Sequence, residues 1–121
     1  MKDTKSWLES IGKAIDKKDS TGFAAYITEN GTFRFGNAPD VTSRKAIDDY
    51  VAAFFGMIKS SKHELVNFWE NENGIVWQGK VTYTRLDDKI VPVNFTNIFY
   101  MDGELIKDYL IYIDNTPLFA N

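Results

Sequence analysis

The feature that most constrains the fold is a change of hydrophobic period near residue 62. From there on, apolar and polar side chains alternate through four segments, and short polar turns separate them. The segments lie near residues 62–70, 75–86, 90–101 and 105–114, and the turns are residues 71–74, 86–89 and 102–103. A period of two is typical of half-buried β-strands, and short turns connect antiparallel neighbours. The second half of the chain therefore predicts a meander of long antiparallel strands.

The first half of the chain follows a helical period instead. Apolar residues spaced three or four apart predict three helices, which are Trp7 to Ile15, STGFAAYIT from Ser20, and Ala46 to Ile58. Ser20 is a candidate N-cap for the second helix, and Thr42 or Ser43 for the third. A short strand, TFRFGN, lies between the second and third helices. Helices followed by a β-meander predict an α+β fold, and the length predicts a single domain over residues 1–121.

Composition excludes several classes of function. The 121 residues include no cysteine, so disulfides and thiolate metal sites are ruled out. A net charge of −3 with interspersed signs argues against a nucleic-acid surface. No apolar run approaches the ~20 residues of a membrane span, and the first ten residues lack the apolar centre of a signal peptide. We therefore expect a cytoplasmic protein that binds neither nucleic acid nor membrane.

Alternation assigns the strand residues to two faces of the sheet. One face is nearly all aromatic or aliphatic and is predicted to lie under the helices. It also carries His63, Asn67 and Asn97, and the aromatic fraction of the chain is 15%. The other face mixes Ile98 and Leu110 with polar neighbours. Such a face is too apolar to be wholly solvated, so it predicts a homodimer through the outer sheet face.

The motifs FRFGN, SRKAI, YTRLDD and DGELIKDYLIYIDNTPL, at their separations in this chain, resemble the SnoaL-like group of the nuclear-transport-factor-two-like superfamily. The resemblance covers essentially the whole chain, and its most specific part is the last motif. It implies a cone in which a curved antiparallel sheet wraps around three N-terminal helices and leaves an internal apolar cavity. It also implies a homodimer. The superfamily includes polyketide cyclases, ketosteroid isomerases, scytalone dehydratases, limonene epoxide hydrolases and binding domains without chemistry, so the cavity must identify the function.

The resemblance also implies where a catalytic carboxylate would lie, and this chain departs from it. In the cyclases and epoxide hydrolases the acid is on the last strand, where this chain has Ile111. In the isomerases it is at the end of the first strand, where this chain has residues 35–37, Phe-Gly-Asn. Arg85 and Asp87 match the Arg-x-Asp of epoxide hydrolases and are catalytic candidates, although Asp87 also suits an ordinary hairpin turn.

Two other inward polar residues are candidates for catalysis. His63 is the only histidine of the chain, so it is either an acid or base near neutral pH or a hydrogen-bonded part of the wall. Asn97 is the leading candidate for contacting a ligand, and its alternative is a bond to Tyr109 or Tyr83. The predicted ligand-binding residues are Tyr26, Phe33, Phe35, Phe54, Trp69, Trp77, Tyr83, Phe95, Phe99, Tyr109 and Ile111.

Three functions remain open from the sequence. The first is a protein that binds a small apolar or aromatic molecule without a reaction. The second is a cofactor-independent isomerase, dehydratase or cyclase acting on a polyketide- or terpenoid-like substrate. The third is a dimerising scaffold whose interior is filled by its own side chains. The sequence contains no phosphate-binding glycine loop and no cluster of metal ligands, so it predicts no cofactor and no metal.

Overall fold

The computed structural model describes residues 3–120, which form four helices and one open, curved sheet of six strands. The helices are α1 (Thr4–Asp16), α2 (Ser20–Ala24), α3 (Arg44–Phe55) and α4 (Thr116–Phe119). The strands are β1 (Ile27–Phe35), β2 (Val41–Thr42), β3 (Ile58–Glu70), β4 (Gly74–Arg85), β5 (Ile90–Asp102) and β6 (Leu105–Ile113). The strand order is β2-β1-β6-β5-β4-β3. Among the strands described, only β1 and β6 run parallel, so the predicted α+β fold with an antiparallel meander is confirmed.

Side-chain caps fix the starts of the helices. Asp3 accepts a hydrogen bond from the Ser6 backbone N–H at the start of α1. The Ser43 hydroxyl accepts one from Ala46 at the start of α3, which selects Ser43 from the two predicted caps. At α2 the cap is Asp19 rather than the predicted Ser20, because the Asp19 carboxylate accepts the N–H of Gly22 at 2.9 Å.

Two helices are shorter than their hydrophobic patterns predicted. The second helix ends at Ala24, and β1 already begins at Ile27, where the chain pairs with Ile106 of β6. The third helix ends at Phe55, and Ile58 begins β3 rather than extending the helix. Both isoleucines are buried in the core at these strand starts. Each lies three or four positions after an apolar residue of the preceding helix, and this spacing was wrongly interpreted as a continuation of the helix.

A β-bulge in β3 reverses the faces of its last residues. Leu65 pairs with Gly79 and Asn67 with Gln78, so Val66 is an extra residue on β3. Every later side chain therefore changes face. Trp69 was predicted to line the cavity and Asn67 to point inward, and both predictions are wrong. Trp69 lies on the outer face and is 53% exposed.

Phe68, the residue between Asn67 and Trp69, turns inward because of the same bulge. Phe68 pairs with Trp77 and packs against the core. Glu70 also moves to the helix-covered side, where it accepts a hydrogen bond from Thr4 of α1 at 2.8 Å. The bulge therefore attaches the end of β3 to the start of α1.

The core lies between the concave face of the sheet and helices α1, α2 and α3. Aromatic rings meet there mostly edge to face, as Trp77 and Phe95 do at 5.2 Å between ring centroids. The interior is thus built from the ring-rich face of the strands.

Between residues 3 and 120, no helix is long and apolar enough to cross a membrane.

Candidate functional site

A cavity opens between α3 and the concave face of the sheet. Its volume is about 50 Å³, several times the ~10–15 Å³ that one water molecule needs. The wall is almost wholly apolar. It consists of Ile15, Phe23, Phe33, Phe35, Tyr50, Val51, Phe54, Phe55, His63, Val81, Tyr83, Phe95, Asn97, Tyr109, Ile111 and Ile113.

Most of the predicted site residues lie on this wall. They are Phe33, Phe35, Phe54, His63, Tyr83, Phe95, Asn97, Tyr109 and Ile111. Trp77 and Phe99 are buried in the core beside the cavity rather than on its wall. Tyr26 lies away from the wall, where its hydroxyl hydrogen-bonds Ser10 of α1 at 2.7 Å. Of the α3 residues on the wall only Phe54 was predicted, and Tyr50, Val51 and Phe55 also line the cavity.

His63 is held by a carboxylate that was not among the predicted site residues. The Nδ1 atom of His63 lies 2.6 Å from Oδ1 of Asp16, the last residue of α1. Asp16 Oδ2 also accepts the backbone N–H of His63 at 2.8 Å, and Oδ1 accepts the Ser61 hydroxyl at 2.9 Å. The imidazole is therefore fixed in position, and its Nδ1 is used by the carboxylate.

Asp16 is kept ionised by these contacts. Burial by itself would raise its pKa, but the hydrogen bonds and charge of His63, with the Ser61 hydroxyl, outweigh burial and lower the pKa below 3.8. One local signal could have identified this residue. An acid in the last turn of a helix opposes the helix dipole, and a hydrogen-bonding partner elsewhere in the fold offsets that cost.

Two tyrosine hydroxyls on the wall stay protonated. Burial, and secondarily the negative charge of Asp16, raises the pKa of Tyr83. Burial, and secondarily Tyr83, raises the pKa of Tyr109. Both hydroxyls are therefore available as neutral hydrogen-bonding groups at physiological pH rather than as bases.

Asn97 is the third polar feature of the wall. Its side chain is buried, and its Nδ2 donates a long hydrogen bond of 3.4 Å to the Tyr109 hydroxyl. This is one of the two alternatives that the sequence left open. Within residues 3–120 its Oδ1 has no hydrogen-bond partner.

Arg85 and Asp87 do not lie on the cavity wall. The Arg85 guanidinium donates to the backbone oxygens of Pro117, at 3.3 Å, and of Ala120. Asp87 accepts from Arg85 at 3.0 Å and from the backbone of Lys89 at 3.2 Å. The hydrogen bond from the Lys89 backbone N–H, which is the largest effect, lowers the pKa of Asp87. The charge and hydrogen bond of Arg85 lower it further, and desolvation acts in the opposite direction. The pair thus holds the C-terminal segment against the end of β4.

The described residues contain no group of three or more His, Asp or Glu side chains arranged to hold a metal ion. The polar groups of the cavity are therefore the His63–Asp16 pair, Asn97 and the tyrosine hydroxyls. This set is suited to hydrogen bonding and to proton transfer at one nitrogen atom.

Known structures share this fold at low sequence identity. An NTF2-like protein of unknown function from Cytophaga hutchinsonii is 20% identical, with a TM-score of 0.71 over 88% of this chain and 96% of the other. A candidate SnoaL-like polyketide cyclase from Jannaschia sp. CCS1 is 13% identical, with a TM-score of 0.75 over 92% and 87% of the two chains. SalBIII, an epoxide hydrolase/cyclase-like enzyme of pyran ring formation in salinomycin, is also 13% identical, with a TM-score of 0.78 over 93% and 91%.

At these identities the similarity establishes the fold and carries no activity over to this chain. No protein of curated function matches the sequence. The family model of the SnoaL-like domain, however, matches residues 8–109, which include most of α1, the whole of β3 to β5 and every polar residue of the cavity wall. The chain therefore belongs to the SnoaL-like domain family.

Proposed function

We propose that this chain is a cytoplasmic, cofactor-independent enzyme that binds a small, largely apolar molecule in its cavity and moves a proton on it with His63. The observation that carries the proposal is the 2.6 Å contact between His63 Nδ1 and Asp16, with the imidazole on the cavity wall. The reaction class is isomerisation, dehydration or cyclisation of an oxygenated substrate. The cysteine-free sequence supports a reducing compartment.

The contact with Asp16 prepares His63 for acid–base chemistry. A carboxylate that accepts from Nδ1–H selects the tautomer whose Nε2 carries a free electron pair. It also stabilises the imidazolium that forms when Nε2 takes a proton. Asp16 stays ionised at neutral pH because its pKa is lowered, so this support is present where most enzymes work. An apolar wall strengthens both effects because it excludes water.

The size and lining of the cavity favour a compact substrate. A volume of about 50 Å³ is about one third of the ~150 Å³ of an apolar cavity that binds benzene, so a single ring is the upper limit and the wall side chains must shift to admit it. The aromatic wall favours a flat, apolar body. The names of two structurally similar proteins, a candidate polyketide cyclase and an epoxide hydrolase/cyclase-like enzyme, support ring-forming chemistry on such molecules.

Deuterium exchange tests the proton transfer without a known substrate. The protein would be incubated in D2O with cyclopentanone, cyclohexanone and cyclohex-2-enone, and deuterium uptake beside the carbonyl followed by proton NMR. Nε2 of His63 would take the proton from that carbon, leaving an enolate, and return a deuteron after exchange with solvent. We expect uptake above the buffer rate for at least one ketone, and a loss of about 100-fold or more in His63→Gln.

The matched control is Lys62→Gln, which changes the neighbouring, exposed residue on the opposite face of β3. It should exchange at the wild-type rate. If no ketone exchanges faster with the wild-type protein than with His63→Gln, the proton-transfer proposal is wrong.

The second candidate function is binding without a reaction. It is favoured by Ile111, an apolar residue of the cavity wall where the related cyclases and epoxide hydrolases have their carboxylate. Native mass spectrometry of the purified protein separates the two candidates. A retained small molecule that is released unchanged, with equal retention by His63→Gln, would favour binding alone.

We also propose that the partner of the outer sheet face is a second copy of this chain. Cross-strand pairing aligns one apolar row on that face, running from Trp69 through Val76 and Ile98 to Leu110, with Arg34 at its far end. A two-fold axis through Ile98 would place Leu110 over the partner's Val76, and Arg34 over the partner's Trp69. The row is thus complementary to itself, and a cation over an indole ring is a favourable contact.

Light scattering after size-exclusion chromatography tests this interface. We expect a dimer for the wild-type protein, a monomer for Leu110→Glu and a dimer for the control Lys17→Glu, which alters the exposed end of α1. A wild-type monomer at about 100 µM would contradict the proposal, because the dissociation constant of a stable homodimer is well below that concentration and the protein would then be almost wholly dimeric.

A further inference from the structure

The cavity wall carries a hydrogen-bond acceptor that the protein itself does not satisfy. Asn97 is only 3% exposed, and its Oδ1 has no partner within residues 3–120. An unsatisfied buried polar group costs about 1–3 kcal/mol. An amide kept at that cost in a largely apolar wall indicates that a ligand in the cavity supplies its hydrogen-bond donor.

The surroundings of Asn97 prevent its amide from finding another partner. On β5 it pairs with Trp77 on one side and Ile111 on the other. The indole Nε1 of Trp77 also lacks a partner among the described residues, so it does not donate to the amide. The other end of the amide, Nδ2, donates its hydrogen bond to the hydroxyl of Tyr109, which is fully buried. Since Asn97 is a residue of the cavity wall, its carbonyl oxygen is the end of the amide that is left for a ligand.

We infer that Asn97 determines specificity by selecting ligands that carry a hydrogen-bond donor, a hydroxyl or N–H group, on a small apolar body. The inference rests on the proposed function only in requiring that the cavity binds a ligand. It is independent of proton transfer by His63. A site built to hydrogen-bond a ligand hydroxyl rejects the analogue without it, because the buried partner is then left unpaired.

Phenol and fluorobenzene are a suitable pair of probes, because they have nearly the same size and shape and only phenol donates a hydrogen bond. Phenol is also the better hydrated of the two. A merely apolar cavity would therefore prefer fluorobenzene, whereas the Asn97 acceptor reverses that order. Dissociation constants would be measured by titration with ¹⁵N-resolved NMR spectra of the full chain.

We expect the wild-type protein to bind phenol at least about tenfold more tightly than fluorobenzene. Asn97→Leu and Asn97→Ala should lose this preference while still binding fluorobenzene. Two variants are used so that one that fails to fold does not end the test. Asn94→Leu, on the exposed face of the same strand, is the matched control and should keep the preference.

The outcomes separate this inference from the proposed function. If both probes bind without preference for phenol, or if the preference survives in the two Asn97 variants, the role of Asn97 is refuted while ligand binding stands. If neither probe binds, the cavity does not take ligands of this size, and both the inference and the binding step of the proposed function are overturned.

Discussion

Replacing Asp16 with asparagine tests the centre of the site. The substitution keeps the shape of the side chain but exchanges one acceptor oxygen for an NH2 group. Oδ1 of Asp16 accepts from His63 Nδ1 and Ser61, and Oδ2 accepts from the His63 backbone N–H. With the NH2 group at the Oδ2 position, it faces the backbone N–H of His63, and one donor is left unsatisfied. With the NH2 group at the Oδ1 position, His63 has to change to the tautomer whose Nδ1 accepts a hydrogen bond. In both orientations the bonds to His63 and Ser61 lose their charge assistance, and the total cost is about 2–3 kcal/mol.

The cost should depend on pH in a defined direction. The pKa of Asp16 is lowered in the folded protein, from an ordinary value of 3.8. Its ionised form therefore stabilises the fold fully above that ordinary value, and this contribution is lost as the pH falls through the lower folded value. The stability difference between wild type and Asp16→Asn should accordingly shrink below about pH 4.

Urea unfolding followed by tryptophan fluorescence measures both quantities. Trp77 is a suitable reporter because it is buried, with its ring centroid 6.1 Å from that of His63. The matched control is Asp49→Asn, which breaks an exposed ion pair with Lys45 and should cost no more than about 0.5 kcal/mol. The reasoning is refuted if Asp16→Asn costs less than about 0.5 kcal/mol at neutral pH, or if its cost stays the same at about pH 3.

Three further predictions concern packing and the C-terminal segment. Gly79→Ala should destabilise the protein by about 2–3 kcal/mol in urea unfolding, because the added Cβ would lie 2.4 Å from the Phe95 ring; a neutral effect would contradict the described packing. Leu118→Ala should cost about 2–3 kcal/mol by the same assay, because this side chain is 4% exposed within the core, and an unchanged midpoint would show that α4 is not docked. Arg85→Gln should increase hydrogen exchange of residues 116–120 and leave the rate of ketone exchange unaltered, because its bonds go to that segment and not to the cavity; a large loss of activity would instead place Arg85 in the chemistry.

Much of the fold was predictable because its signals are local. The last two strands were predicted over residues 90–101 and 105–114, and the structure has Ile90–Asp102 and Leu105–Ile113. Alternation within one strand needs no knowledge of its neighbours, so it was read correctly wherever the strand is regular. Likewise, the cap at Ser43 depends only on residues within one helical turn.

The errors occurred where a distant partner decides the local structure. Ile27 has a helical spacing from Phe23, but pairing with β6 draws it into a strand. Trp69 has the inward parity in the sequence, but the extra residue at Val66 turns it outward. Nothing in the sequence distinguishes a bulged valine from a paired one, because the bulge is a property of the register with β4.

The sequence by itself determined an α+β chain with a ring-rich inner face, a histidine and an amide on that face, and no acid at Ile111. Tertiary structure alone decided that Asp16 meets His63, because the two are 47 residues apart and are joined only when the end of α1 docks on β3. It also decided which rings enclose a cavity and which fill the core, since that depends on how α3 packs over the sheet. Local patterns record the face to which a side chain points, whereas contact between remote groups is set by the packing of whole elements.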